Sequence, residues 1–176
     1  MSVLVTWSAA GGAESYRVYR GERSGGTIVY SLVGAPATSP FTDTSAAPAV
    51  SYFYKVRSFG GSESPDSNID LATTVIFTDP SLTAGVTVKL AHFTELLTAV
   101  NAVRALAGFG PIAFTAPAPA IGVTVRRQHV FDLRSGLNPA RNALGLTLPS
   151  YTDPSLMAGV TPIKAVHITE LRDGVK

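Results

Sequence analysis

The sequence predicts a two-part chain of the β plus α class: an incomplete β-sandwich over residues 1–75, then helical-hairpin repeats over residues 76–176. Three observations lead there. The first part consists of short alternating apolar runs separated by Gly, Pro, Ser and Asp clusters. The second part resembles itself at an offset of 37 residues. The chain contains no cysteine, so both parts must be held by packed apolar side chains rather than disulfides or thiolate-bound metal.

Composition narrows the function classes. The chain has 176 residues, 45% of them hydrophobic and 15% charged, which describes a folded, weakly charged protein of one or two domains. Residues 1–75 hold five Lys/Arg against six Asp/Glu, and residues 76–176 hold nine against six. Neither balance calls for nucleic acid or an anionic membrane as partner. No run of about 18 apolar residues is present, so membrane insertion is not expected. The N-terminus lacks a basic region followed by an apolar run, and the chain opens directly on a strand. Further sequence upstream of that strand is expected.

Six strands are expected in the first part: Val3 to Trp7, Ser15 to Arg20, Thr27 to Val33, Pro40 to Asp43, Ser51 to Arg57 and Asn68 to Val75. Side chains alternate along a strand, so Tyr52, Tyr54 and Val56 share one face, while Lys55 and Arg57 share the other and face out.

The series Val5-Thr6-Trp7, then Ser15-Tyr16-Arg17-Val18-Tyr19-Arg20, then Tyr52-x-Tyr54-x-Val56, then Glu63-Ser64-Pro65 resembles a fibronectin type III domain. The resemblance implies that Trp7 and Tyr16 are core residues and that Tyr52 makes a tyrosine corner. It also implies a missing first strand, because members of that family begin with a strand ahead of the one bearing the Trp. The adhesion tripeptide Arg-Gly-Asp does not occur, since Arg172-Asp173-Gly174 has a different order.

In the second part, Phe77-Thr78-Asp79-Pro80 aligns with Phe114-Thr115-Ala116-Pro117 and Tyr151-Thr152-Asp153-Pro154. The register continues through Gly85, Gly122 and Gly159 to His92, His129 and His167. Three units follow, 77–113, 114–150 and a truncated 151–176, each expected to be a short helix and then a longer one. Asp79 and Asp153 suit N-caps with Pro80 and Pro154 in the first turn, and the three glycines suit left-handed C-caps. Thr87, Thr124 and Thr161 then cap the long helices, with Pro162 in the first turn of the third. Along the first long helix Phe93, Leu96, Val100, Val103 and Ala107 form one stripe, ending near Gly108. Gly136 and Pro139 predict a bend or break in the second. The pattern at 152–172 resembles a repeat found at the C-termini of secreted acidobacterial proteins, with a faint likeness to S-layer-homology repeats.

Two constellations could carry chemistry. His92/Glu95, His129/Asp132 and His167/Glu170 stand at i, i+3, where two side chains on neighbouring helix positions could share a metal. A motif repeated once per unit more commonly fixes a contact between units, with the carboxylate orienting the imidazole. No cofactor is therefore expected. Arg127, Arg134 and Arg141, spaced by seven, could bind an acidic polysaccharide, although a solvated helix face accounts for them as well. No aromatics interleave them as base-stacking platforms, so nucleic acid is not expected. Tyr19 and Tyr30 are candidate sugar-stacking rings.

No Ser/His/Asp series, phosphate-cradling glycine motif or H-E-x-x-H is present, so no enzyme is expected. The expected role is that of a non-catalytic extracellular or cell-surface structural module, such as a subunit of a filamentous assembly. The alternative is a glycan- or cell-wall-binding module of a larger secreted protein. Self-association, or contact with other surface proteins, is expected at the unpaired edge formed by Val3, Leu4, Val5, Thr6 and Trp7, and at the third unit, whose apolar face should lack a partner.

Overall fold

The computed structural model describes residues 1–83, 85–115, 117–157 and 160–176. The chain divides into two units, Met1–Thr74 and Val75–Lys176.

In the first unit, β1 (Val3–Val5) pairs antiparallel with β4 (Phe41–Asp43), with Val3 opposite Asp43. A second sheet has the order β3 (Thr27–Gly34), β2 (Ser15–Ser24), β5 (Ser51–Phe59), β6 (Asp70–Thr73), all antiparallel. The hairpin from β2 to β3 closes with Ser24 opposite Thr27 through Gly25 and Gly26, at φ 56° and 90°. Two consecutive positive φ values give a turn whose twist matches that of the strands. β1 is shorter than expected, because the Trp7 N–H leaves the ladder to bond Ser39 Oγ at 3.1 Å.

Alternation places Tyr16 and Val18 of β2 and Tyr52, Tyr54 and Val56 of β5 in one buried cluster. Val3, Val5 and Trp7 pack against it half-buried. Each buried tyrosine hydroxyl answers a polar group: Tyr52 Oη accepts from the Ala47 N–H at 3.0 Å, Tyr16 Oη from the Ala10 N–H at 2.9 Å, and Tyr54 Oη donates to Asp43 Oδ2 at 2.8 Å. Unbonded, such a hydroxyl would cost about 1–3 kcal/mol.

The second unit contains α1 (Leu90–Ala107), α2 (Arg127–Ala143) and α3 (Ala165–Gly174). Each sequence unit thus supplies one helix led by an irregular segment. Among the described residues the short preceding helices are not formed, and residues 78–80 are only bends. Their intended caps are engaged elsewhere: Asp79 stands at φ 50° with its carboxylate on Lys89 and His92. Gly85 and Gly122 are left-handed, at φ 88° and 80°, but in turns. The cap expected at Gly159 lies outside the described residues. The N-caps of the long helices are Lys89, Arg126 and Lys164 rather than Thr87, Thr124 and Thr161, so Pro162 precedes α3.

The α1 stripe is buried as its spacing requires, and α1 ends at Gly108, left-handed at φ 83°. α2 runs through Pro139 instead of breaking there, with Leu133, Leu137 and Ala140 buried on the same face. Burial of that face, about 1.5–3 kcal/mol per large side chain, offsets the lost backbone bond. The third unit is not left open either, since Ile168, Leu171 and Val175 are fully buried.

Candidate functional site

The three repeated histidines are fully buried N-terminal caps. The His92 N–H donates to the Lys89 carbonyl at 3.2 Å, while the Lys89 N–H donates back to His92 Nδ1 at 3.1 Å. The same reciprocal pair joins His129 with Arg126 and His167 with Lys164. The far ring nitrogens meet Asp79 Oδ2 at 3.1 Å, the Pro117 carbonyl at 2.9 Å and Asp153 Oδ2 at 2.8 Å. A backbone N–H can only donate and a carbonyl can only accept, so at His129 the proton sits on Nε2. The imidazole here does the work that Ser, Thr or Asp usually does at a helix start.

The paired acids serve different partners. Glu95 accepts from the Thr78 N–H at 2.9 Å, Asp132 from the Thr115 N–H at 2.8 Å, and Glu170 from the Thr152 N–H at 2.6 Å. Each histidine and its i+3 acid therefore hold neighbouring points of the leading segment: Asp79 and Thr78, Pro117 and Thr115, Asp153 and Thr152. Among the described residues no group of three or more His, Asp or Glu could hold a metal. The Lys89 ammonium and the His92 ring hold Asp79 below the ordinary carboxylate range, and His167 and Lys164 do the same for Asp153.

The arginine row is solvated only in part: Arg127 is exposed, Arg141 half-buried and Arg134 buried. Arg127 Nη1 donates to the Leu156 carbonyl at 3.1 Å and Arg134 Nη1 to the Asp153 carbonyl at 2.7 Å, while Arg141 reaches the carbonyls of Thr147 and Gly174. These guanidiniums staple α2 to the third unit, because a planar fork with five donors suits carbonyl oxygens at a helix crossing. The pattern then passes to the last helix. Arg134 lies over the Tyr151 ring at 4.1 Å with Glu170 at 3.4 Å, and Arg172 lies over the Phe77 ring at 4.7 Å with Glu95 at 3.6 Å. The second sequence repeat grips the third in the same way that the third grips the first. At the matching place in the repeat 77–113 stands Leu97, and there Phe93 meets Phe114 edge-on at 6.2 Å.

In the first unit Asp43 is 2% exposed yet ionised. Burial alone would raise its pKa, but bonds from Ser45, Tyr54 and Arg20 outweigh that and lower it. The Tyr54 phenol moves up, first from burial and then from its bond to Asp43. The two candidate sugar-stacking rings are already covered: Lys55 Nζ lies 4.1 Å from the Tyr30 ring centre and 5.8 Å from that of Tyr19, and Arg57 stands 5.1 Å from the latter.

A groove of about 490 Å³ lies along β1 and β6, lined by Val3–Trp7 on one side and Asp70–Ala72 on the other. β1 pairs only with β4, and β6 only with β5. The outward edges of both strands thus carry N–H and C=O groups with no ladder partner among the described residues. The sequence pointed to the β1 side of this groove through the resemblance; the part taken by β6 has no local signal.

No helix is long and apolar enough to cross a membrane among the described residues. No family model matches the sequence, and no curated protein matches it. Among solved structures, the chain is similar to "a Fn3-like protein from Clostridium thermocellum", at 33% identity and a TM-score of 0.35, over 40% of this chain and 73% of that one. It is also similar to "FN3tt mut", at 24% identity and a TM-score of 0.33, over 42% and 77%. With its β3-β2-β5-β6 sheet, its two-stranded β1-β4 partner and the Tyr52 hydroxyl returned to Ala47, this is a β plus α chain with an Fn3-like part.

Proposed function

We propose that the chain is a non-catalytic structural module that acts through protein–protein contact, as a subunit of an extracellular, cell-surface or filamentous assembly. The observation that carries this reading is a contrast. The side chains that could do chemistry are spent on internal bonds: the histidines as caps, the acids on threonine N–H groups and the arginines on carbonyls. In the first unit β1 and β6 each have one edge with no ladder partner among the described residues.

The second reading, a glycan- or cell-wall-binding module, rests on Tyr19 and Tyr30, whose rings are already faced by cations, and on the row Arg127, Arg134 and Arg141, which donates to carbonyls. Electron micrographs and light scattering of the purified chain over a range of concentrations test the first reading, and fibres or a defined oligomer are the expected result. A strictly monomeric chain retained on peptidoglycan or acidic polysaccharide would overturn it in favour of the second.

A further inference from the structure

The helices of the three sequence repeats meet pairwise, and the joint between repeats 77–113 and 114–150 is built differently from the other two. At those two an arginine covers an aromatic ring with a carboxylate beside it: Arg134 with Tyr151 and Glu170, Arg172 with Phe77 and Glu95. At the first joint the ring that packs on Phe93 and Phe114 is the imidazole of His129, edge-on at 6.0 and 5.6 Å. We infer that this joint is an acid-sensitive latch, which holds while His129 is neutral and is released when that imidazole takes up a proton.

The bonds of His129 select the neutral ring. Nδ1 accepts from the Arg126 N–H at 3.2 Å and Nε2 donates to the Pro117 carbonyl at 2.9 Å, so each nitrogen already fills the one role a neutral imidazole gives it. A second proton would have to sit on Nδ1, facing a backbone N–H that can only donate. It would also place a positive charge, on a residue 1% exposed, at the positive end of α2. The charged groups around the ring offer no compensation. At the start of α2, Arg126 and Arg127 flank it with like charge, and Asp132, one turn on, is engaged by the Thr115 N–H and by Gln128 Nε2, each at 2.8 Å. From α1 the ring meets Phe93, and from the segment ahead of α2 it meets Phe114 and the Pro117 carbonyl. Among the described residues no charged side chain of α1 or α3 bonds or ion-pairs with it. The other two histidines differ in this respect. Asp79 Oδ2 stands 3.1 Å from His92 Nε2 and Asp153 Oδ2 2.8 Å from His167 Nε2, so an imidazolium there gains an ion pair, whereas the aligned sequence position ahead of His129 is Ala116.

The sign of the pH dependence follows. A free imidazole takes up a proton at about pH 6.5, and so does the unfolded chain, while the closed joint has no place for it. Below that pH the unfolded state therefore binds more protons. The stability of the helical unit then falls as pH falls, by up to about tenfold in the unfolding constant for each pH unit.

The test follows urea unfolding of the full chain by the helical ellipticity, from about pH 7 to about pH 5, above the ordinary carboxylate range. The unfolding constant is expected to rise at least about tenfold over that interval. In His129→Gln it should stay level, because glutamine at the third helical position can take the same cap bond and does not titrate. His92→Gln and His167→Gln should keep the rise. Nitrogen chemical shifts of the wild-type rings give a readout that needs no variant to fold: His129 should hold its proton on Nε2, with none on Nδ1, until the helical signals are lost. A level wild-type curve, a rise that persists in His129→Gln, or a doubly protonated His129 ring in a chain whose helices stay folded would overturn the inference. A rise abolished by His92→Gln or His167→Gln, and kept in His129→Gln, would overturn it as well.

Discussion

Arg172 donates from Nη1 to the carbonyl oxygen of Asp79 at 2.7 Å, tying the last helix to the opening segment of the helical unit across 93 residues of sequence. Nη2 adds the Thr78 carbonyl at 2.7 Å. Arg172→Ala would leave both carbonyls without these donors and the Phe77 face uncovered. A loss of about 3 kcal/mol is expected, read as a lower denaturation midpoint by ellipticity at 222 nm. Arg172→Leu should lose less than Arg172→Ala, since Leu97 holds the matching position in the repeat 77–113 and an apolar side chain can still cover an aromatic ring.

The histidines make a prediction about metal. His129→Ala removes the cap of α2 and empties a fully buried site, so about 2–4 kcal/mol should be lost. The wild-type melting curve should be the same with a chelator or with added zinc. A zinc-dependent rise in midpoint that vanishes in His129→Ala would assign the histidines to a metal after all.

Acid should weaken the first unit through Asp43. Its carboxyl titrates below the ordinary range in the folded state, so the stability it contributes is complete above the unfolded carboxylate pKa of about 3.9. That contribution is lost as pH falls through the lowered folded value. Urea midpoints read from the fluorescence of Trp7, the sole tryptophan, should therefore fall below about pH 4. In Asp43→Asn, which breaks the charged bond to Arg20, the midpoint should start lower and depend less on pH over that range.

Gly136 is a packing requirement. A Cβ built there would lie 2.4 Å from Ile112 Cδ1, closer than two carbons can approach. Gly136→Ala should cost about 1–3 kcal/mol despite alanine's better helix propensity. Ile112→Val removes that Cδ1, so the double variant Gly136→Ala/Ile112→Val should recover part of the loss. Strict additivity in thermal denaturation would refute the contact.

The sequence by itself determined what depends on local periodicity. Alternation at Tyr52, Tyr54 and Val56, the stripe from Phe93 to Ala107 and the left-handed Gly108 are legible because each rests on the geometry of a single strand or helix. The 37-residue offset exposed His92, His129 and His167 as equivalent positions, but sequence spacing cannot say whether an imidazole faces a metal or its own N-cap. Only the tertiary structure decided that, because the answer depends on what stands 3 Å from each ring nitrogen. The same holds for Arg127, Arg134 and Arg141, which a helical wheel aligns on one face and which packing turns onto carbonyls. Pro139 within α2, and the lack of the short helices among the described residues, are also tertiary outcomes, since local propensities of about 1–3 kcal/mol yield to the burial of a whole helix face. The groove between β1 and β6 belongs to the tertiary structure as well, for its two edges lie more than sixty residues apart in sequence and meet only through the sheets.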